Sequence, residues 1–305
     1  MWGVRPDRAA EMLSISHRSS FWINGLRSAA GPDAVLDELA SAGVESVPVP
    51  WYPAARHLLG DKRPLVESAA FREGRVYLQN ASSFVPVLAL AVERGASVLD
   101  VCAAPGGKAA HLAVRLGNDL RLWLNDALPA RLPKLQEVVA LHGISPWQVT
   151  GHPGQYIDRF VDQAFDGILL DAQCSGEGMT DLSKPGALRF WSLDRVEKMS
   201  RLQQRMLMAA FKLLKPGGLL VYSTCTISPE ENEAPLDHLL RHRPEADVVP
   251  LGVELENARP GLASWQGRRY DQRLSAACRV LPTETMEPFF VCLIRRRTAA
   301  EMREA

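Results

Sequence analysis

The chain has 305 residues, 47% hydrophobic and 23% charged, enough to bury a large core as one big domain with a small companion. Lys+Arg and Asp+Glu stand at 35 each, so no global charge marks a nucleic-acid binder, and any such partner needs a local patch. Five widely spaced cysteines (Cys102, Cys174, Cys225, Cys278, Cys292) without a C-x-x-C pair argue against structural zinc and a disulfide framework, and for a reducing compartment.

The opening MWGVRPDRAAEML has no apolar leader core, and the longest mostly apolar run, near Phe84–Val92, is too short to span a bilayer. These features predict a cytoplasmic protein that uses neither membrane nor metal, and a monomer is expected. Residues 19–51 read as a strand (SFWINGL), a helix (PDAVLDELASAG, apolar at Val35, Leu36 and Leu39) and a strand (VESVPVPWY). This β-α-β unit is too small to hold a core alone. The charged, turn-rich RHLLGDKRPLVESAAFREGRVYLQ reads as a joint, which divides the chain into 1–75 and 76–305.

From about residue 80 strands alternate with helices. The strands are SVLDVC (97–102), RLWLN (121–125), WQVT (147–150), FDGILLD (165–171), GGLLVYS (217–223) and FFVCLI (289–294). Between them lie KAAHLAVRL, LPARLPKLQEVVALHG and LDRVEKMSRLQQRMLMAAFKLLKPGG, the last with a Pro-Gly-Gly stop. The alternation predicts an α/β fold with a doubly wound, mostly parallel sheet. In such sheets the ligand sits outside the carboxyl ends of the strands.

Four of those ends carry chemistry. The first strand of the series runs into Cys102-Ala103-Ala104-Pro105-Gly106-Gly107-Lys108. Pro105 stiffens this turn, while Gly106 and Gly107 let backbone N–H groups approach a ligand. The second ends at Asn125-Asp126, where an acid suits ribose hydroxyls or, alternatively, a turn or helix cap. The fourth and fifth end in LLDAQCSGEG and VYSTCTISPEENE, placing Asp171, Cys174 and Cys225 at the sheet edge. If those strands are neighbours, two thiols and a carboxylate converge beside one loop. Cys278 and Cys292 fit the ordinary buried role of cysteine.

The loop lacks the G-x-G-x-x-G of dinucleotide binders and the G-K-[ST] ending of a P-loop. It suits S-adenosylmethionine, which carries adenosine but no phosphate. A thiol beside a methyl donor suggests methylation at carbon 5 of a pyrimidine, where thiolate addition to carbon 6 makes carbon 5 nucleophilic. A nucleotide-dependent oxidoreductase is the lesser reading.

The chain resembles the Sun-type (Nol/Nop/Sun) RNA cytosine-5 methyltransferases, from about Phe21 to Arg297. The resemblance rests on YLQNASSFVPVLAL, VLDVCAAPGGK, LNDALPARLPKL, FDGILLDAQCSGEGM, LLKPGGLLVYSTCTISPEENE and EPFFVCLIRR, in that order. It implies a class I methyltransferase fold, Rossmann-like with an antiparallel last strand, over 76–305, and a small α+β RNA-recognition-type subdomain over 1–75. It implies that Cys102–Lys108, Asp126, Arg131 and Asp171 contact S-adenosylmethionine. It makes Cys225 the nucleophile and Cys174 the helper in product release, with Asp171 and Lys108 beside them. The implied substrate is RNA, ribosomal rather than transfer.

Four positions depart from the family pattern: Gln173 for proline, Pro153 for an aspartate near adenine, Asn80 for an acid, and Ala109 for threonine. They carry the alternative of an RNA-binding or ribosome-assembly factor that keeps the fold without catalysis. For the RNA itself, Lys184–Lys215 holds eight basic residues against Asp194 and Glu197, with Lys184, Arg189 and Trp191 nearest the site. GRRYDQR (267–273) is a second basic cluster.

Overall fold

The computed structural model describes residues 11–303. The first ten residues, where most of the sequence without an apolar leader lies, and the last two fall outside that range. The first unit is a four-stranded antiparallel sheet in the order β2-β3-β1-β4. Its strands are β1 (Ser20–Ile23), β2 (Ser46–Val49), β3 (Tyr52–Leu58) and β4 (Val76–Leu78), with helix α1 (Pro32–Ser41) against it. The expected single strand VESVPVPWY is two strands. Pro48 and Pro50 cannot donate to a ladder, so the run kinks into a hairpin and its Pro-bearing half, β2, takes the sheet edge.

The segment read as a joint is folded into this unit. It forms the end of β3, the short helices α2 (Arg63–Glu67) and α3 (Ala69–Arg72), and β4. Leu65, Ala70 and Val76 join Phe21, Val35, Leu39 and Leu58 in its core. Its charges lie on the outer positions of short helices, so composition alone reads it as a linker.

After helix α4 (Phe84–Ala89) comes the main sheet: β5 (Ser97–Asp100), β6 (Arg121–Asn125), β7 (Gln148–Thr150), β8 (Phe165–Asp171) and β9 (Leu214–Thr224). These five are parallel, in the order β9-β8-β5-β6-β7. Four C-terminal strands, β10 (Ala246–Val249), β11 (Ala258–Pro260), β14 (Cys278–Val280) and β15 (Phe289–Arg296), extend it, and β15 lies antiparallel against β9. A ribbon of β12 (Ser264–Trp265) and β13 (Arg268–Arg269) stands apart.

Side chains alternate across the sheet with the period of two that strands impose. Val98, Leu169 and Val221 face one layer; Leu99, Ile168, Leu170 and Leu220 face the other. Helices α5 (Gly107–Arg115) and α6 (Leu132–Leu141) cover the first face. Helices α7 (Leu193–Lys212) and α8 (Glu233–His242) cover the second, and a short α9 (Ala299–Arg303) follows β15. Cys278 and Cys292 are buried in these layers. The strand order reverses between β5 and β8, and a crevice opens there at their carboxyl ends. Among the described residues no helix is long and apolar enough to cross a membrane, and no cluster of potential metal ligands occurs.

Candidate active site

The loop after β5 is tied down by its neighbours. Cys102 N–H donates to Asp100 Oδ1 (3.2 Å), Ala103 N–H to Asn125 O (2.8 Å) and Ala104 N–H to Asp126 Oδ2 (3.2 Å). The Ala104–Pro105 peptide is cis. A Cβ on Gly107 would stand 2.9 Å from the Tyr77 ring, so a larger residue here would press on the side chain that β4 lays against the loop. Ala109 is fully buried in the α5 core, where its methyl packs without a hydroxyl to satisfy.

Asp126 is completely buried. Its carboxylate also accepts from Leu128 N–H (3.0 Å) and pairs with Arg131 (3.0 Å), whose guanidinium reaches Ala104 O as well. Both carboxylate oxygens are thus taken by donors of the protein itself, so Asp126 stands here as the anchor of the loop. Pro153 caps a short 3-10 turn, and the adjacent His152 stacks on Phe160 at 4.4 Å.

Because β8 and β9 are paired, their ends bring two cysteines together: Cys174 Sγ and Cys225 Sγ lie 3.3 Å apart. Gly178 N–H donates to Cys225 O at 2.8 Å, and a Cβ there would stand 2.4 Å from that oxygen. Asp171 accepts from Lys108 Nζ (2.7 Å) and from Ser223 Oγ (2.7 Å). Burial disfavours the Lys108 charge, but Asp171 and Asp100 outweigh it and hold its pKa above the ordinary value. Burial, reinforced by Asp171, pushes Asp100 up to about 7. The hydrogen bond to Cys225, with burial, raises the Cys174 thiol well above its usual range. Burial does the same to Cys102.

Two cavities flank these residues. One, about 490 Å³, lies between the small sheet and the loop, with Tyr77, Gln79, Asn80, Lys108 and Phe289 among its walls. The other, about 770 Å³, runs past Leu128, Arg131, Ala172, Cys174 and Phe190. They share four lining residues: Cys102, Ala104, Asp171 and Cys225. A donor in one cavity and an acceptor in the other would meet at Cys225. In the first cavity Asn80 hydrogen-bonds Glu287, whose carboxyl is raised chiefly by burial, so a second acid stands beside the departing position.

The expected RNA-contact residues are placed unevenly. Lys184 is exposed and pairs with Asp181 (3.4 Å). Arg189 lies over the Phe190 ring at 4.4 Å. Trp191 is only partly exposed and donates Nε1–H to Glu177 (2.6 Å), while Phe190 is 71% exposed at the cavity mouth. Phe190 was missed because it adjoins the aromatic that sequence favoured. Asp100, Glu177 and Glu231 were missed too, though each lies inside a quoted motif; only folding shows them buried at the site.

The sheet order and the loop at its switch point define a class I methyltransferase fold. A crystal structure of a methyltransferase homologue from Pyrococcus horikoshii superposes with a TM-score of 0.83 at 29% identity, covering 98% of this chain and 92% of that one. Residues 87–295 match the family described as 16S rRNA methyltransferase RsmB/F, and the chain belongs to that family of Sun-type RNA cytosine-5 methyltransferases. It is 37% identical to a tRNA (cytosine(49)-C(5))-methyltransferase of Pyrococcus abyssi, over 73% of this chain and 71% of that protein. It is 36% identical to ribosomal RNA small subunit methyltransferase F of Cronobacter sakazakii, over 80% of this chain and 51% of that one. The chain thus spans about half the length of that ribosomal relative.

Proposed function

We propose that the protein transfers a methyl group from S-adenosylmethionine to carbon 5 of a cytosine in RNA, with Cys225 as nucleophile and Cys174 assisting product release. The observation that carries this reading is the thiol pair, 3.3 Å apart, with Cys225 lining both cavities. The residues fit the cofactor. The larger cavity offers the apolar Leu128 and Ala172, and Arg131 with buried Asp126 behind it for ribose hydroxyls. The Cys102–Lys108 loop turns the positive end of α5 toward an amino-acid carboxylate. Bound there, S-adenosylmethionine supplies an electrophilic methyl group.

The cytosine enters the smaller cavity unstacked from its strand. The Cys225 thiolate adds to carbon 6, and the electron pair of the 5,6 bond moves toward carbon 5. Lys108 and Asp171, locked to each other, hold the ring edge and steady the charge of the adduct. After methylation carbon 5 gives its proton to a base, the double bond reforms and the Cys225 sulfur leaves. Cys174, kept as a thiol by its neighbour, donates a hydrogen bond to that departing sulfur.

Residues 1–75 act in this reading as the RNA-recognition-type subdomain, and the substrate is small-subunit ribosomal RNA in the cytoplasm. The family description and the Cronobacter relative support ribosomal RNA; the Pyrococcus abyssi relative is the competing case. Bisulfite sequencing of RNA from cells with and without the gene tests it. A lost 5-methylcytosine in 16S rRNA is expected, a loss in tRNA instead moves the substrate, and no loss in either sinks the reading. A Cys174→Ala variant accumulates a covalent protein–RNA adduct on denaturing gels, and a further Cys225→Ala change abolishes it. An adduct that survives the double change places the nucleophile elsewhere, and one that accumulates in Cys225→Ala alone reverses the two roles.

A further inference from the structure

Behind the two cysteines lies a buried polar cluster that the reaction above does not use. Ser175 follows Cys174, Thr226 follows Cys225, and two buried glutamates connect them. Glu231 Oε2 accepts from Ser175 N–H (2.9 Å) and Gln203 Nε2–H (2.9 Å), while its Oε1 lies against Ser175 Oγ. Ser175 Oγ is also 2.8 Å from Glu177 Oε2. That oxygen also meets the Thr226 hydroxyl, and Glu177 Oε1 accepts from Trp191 Nε1–H at 2.6 Å. Gln203 also donates to Gln173 O (2.8 Å), which ties helix α7 to the same turn.

Counting protons settles the ionisation of the cluster. Glu177 faces three donors and offers only lone pairs, so it is the carboxylate. The Ser175 hydroxyl has one proton for two carboxyl oxygens. With both acids ionised, Ser175 Oγ would meet one of them lone pair to lone pair, out of water, which is costly. A proton on Glu231 Oε1, donated to Ser175 Oγ while Ser175 donates onward to Glu177, satisfies both carboxyl contacts of Ser175 and leaves only the long Ser175–Thr226 hydroxyl contact (3.3 Å) without a proton.

We propose that Glu177 and Glu231 share a single proton through Ser175, and that this bridged pair is a positioning device. It holds the Cys174 turn, the Cys225 turn and the Trp191 segment in fixed relation for methyl transfer. The role in catalysis rests on the function proposed above; the shared proton does not. Burial raises Glu231 to about 7 against the pull of its donors, in keeping with the protonated form. The titratable groups facing it are Glu177 and Cys174 from the turn after β8 and Tyr222 from β9; α7 presents the neutral Gln203. Of these, the charged Glu177 opposes a second negative charge on Glu231, while the Cys174 thiol and the Tyr222 hydroxyl stay neutral.

Glutamine replacements separate the two acids. At position 231 an amide N–H stands where the proton stood; at position 177 it stands against donors. In single-turnover methylation, E177Q and E231A lower the rate at least about tenfold with the KM for S-adenosylmethionine unchanged, and E231Q recovers it to within about threefold. Equal losses in E177Q and E231Q, or a larger loss in E231Q, overturn the proton assignment. Thermal denaturation gives a reading independent of activity. The folded pKa of Glu231 lies above its unfolded value of 4.5, so the native state binds more protons between about 4.5 and 7, and stability falls as pH rises through that window. Wild type therefore loses Tm relative to E231Q between about pH 5 and pH 8, and parallel curves overturn the shared proton. Wild type inert on every RNA would sink the methyl-transfer reading, while the melting comparison still decides this one.

Discussion

Asp126 shows how much one side chain does before any ligand arrives. It fixes Ala104 N–H, Leu128 N–H and the Arg131 guanidinium together, so the loop is already shaped. Asp126→Asn removes the charge and sets an amide N–H against the donors that shape the loop, and in calorimetric titration it weakens S-adenosylmethionine binding at least about tenfold, the worth of one charge-assisted hydrogen bond. An unchanged affinity would remove Asp126 from the cofactor site. Gly107→Ala acts through packing instead. Its methyl would press on the Tyr77 ring, 2.9 Å away, and overpacking of this kind costs about 1–3 kcal/mol. A lowered Tm is the expected result, and an unaltered one would show that Tyr77 yields freely. At this scale sequence named Cys102–Lys108, Asp126, Asp171, Cys174 and Cys225 from residue type and place. Glu177 and Glu231 escaped because an acid in a polar turn looks solvated until folding buries it.

The segment entering α7 matters as an element. Phe190, Arg189 and the exposed Leu188 and Leu193 stand beside the cavity that holds both cysteines, and the Ser192 side chain caps the helix by accepting from Arg195 N–H. We expect Phe190→Ala to raise the KM for RNA by about tenfold, the low end of base–aromatic stacking, with Tm unchanged. An equal KM would leave Phe190 without a partner in the RNA. The basic run through this element is weaker than its sequence suggests. Lys184, Lys198, Arg201, Lys212 and Lys215 pair with Asp181, Asp194, Glu197, Asp158 and Asp166. Three of those acids come from outside the run, so a count along the chain could not include them. The GRRYDQR cluster is likewise engaged, Arg268 with Asp237 and Arg273 with Asp271.

At the scale of the molecule the small sheet is fastened to the helix that carries the loop. Trp22 stacks on His111 at 5.1 Å and on Tyr77 at 5.3 Å, and the Tyr52 hydroxyl lies 2.9 Å from His111 Nε2. Burial lowers the His111 pKa to about 3, so the ring is neutral in the fold. The unfolded chain binds the proton first, and this contribution is present above about pH 6.5 and lost as pH falls toward 3. At pH 5 the loss is about 2 kcal/mol relative to pH 7, and Tm should fall more in wild type than in His111→Gln. Equal falls would show that the ring is not the acid-sensitive group.

The sequence by itself determined the alternation of strands and helices and which strand ends carry thiols and acids. Those follow from residue type and local period, which a chain displays whatever it later packs against. Only the tertiary structure decided that β8 and β9 are neighbours, which turns two distant cysteines into a pair 3.3 Å apart. It likewise decided that the supposed joint is core, that Trp191 is anchored while Phe190 is exposed, and that much of the basic run is paired with acids. Each depends on contacts between residues far apart in the chain, and strand order, not local composition, sets those contacts.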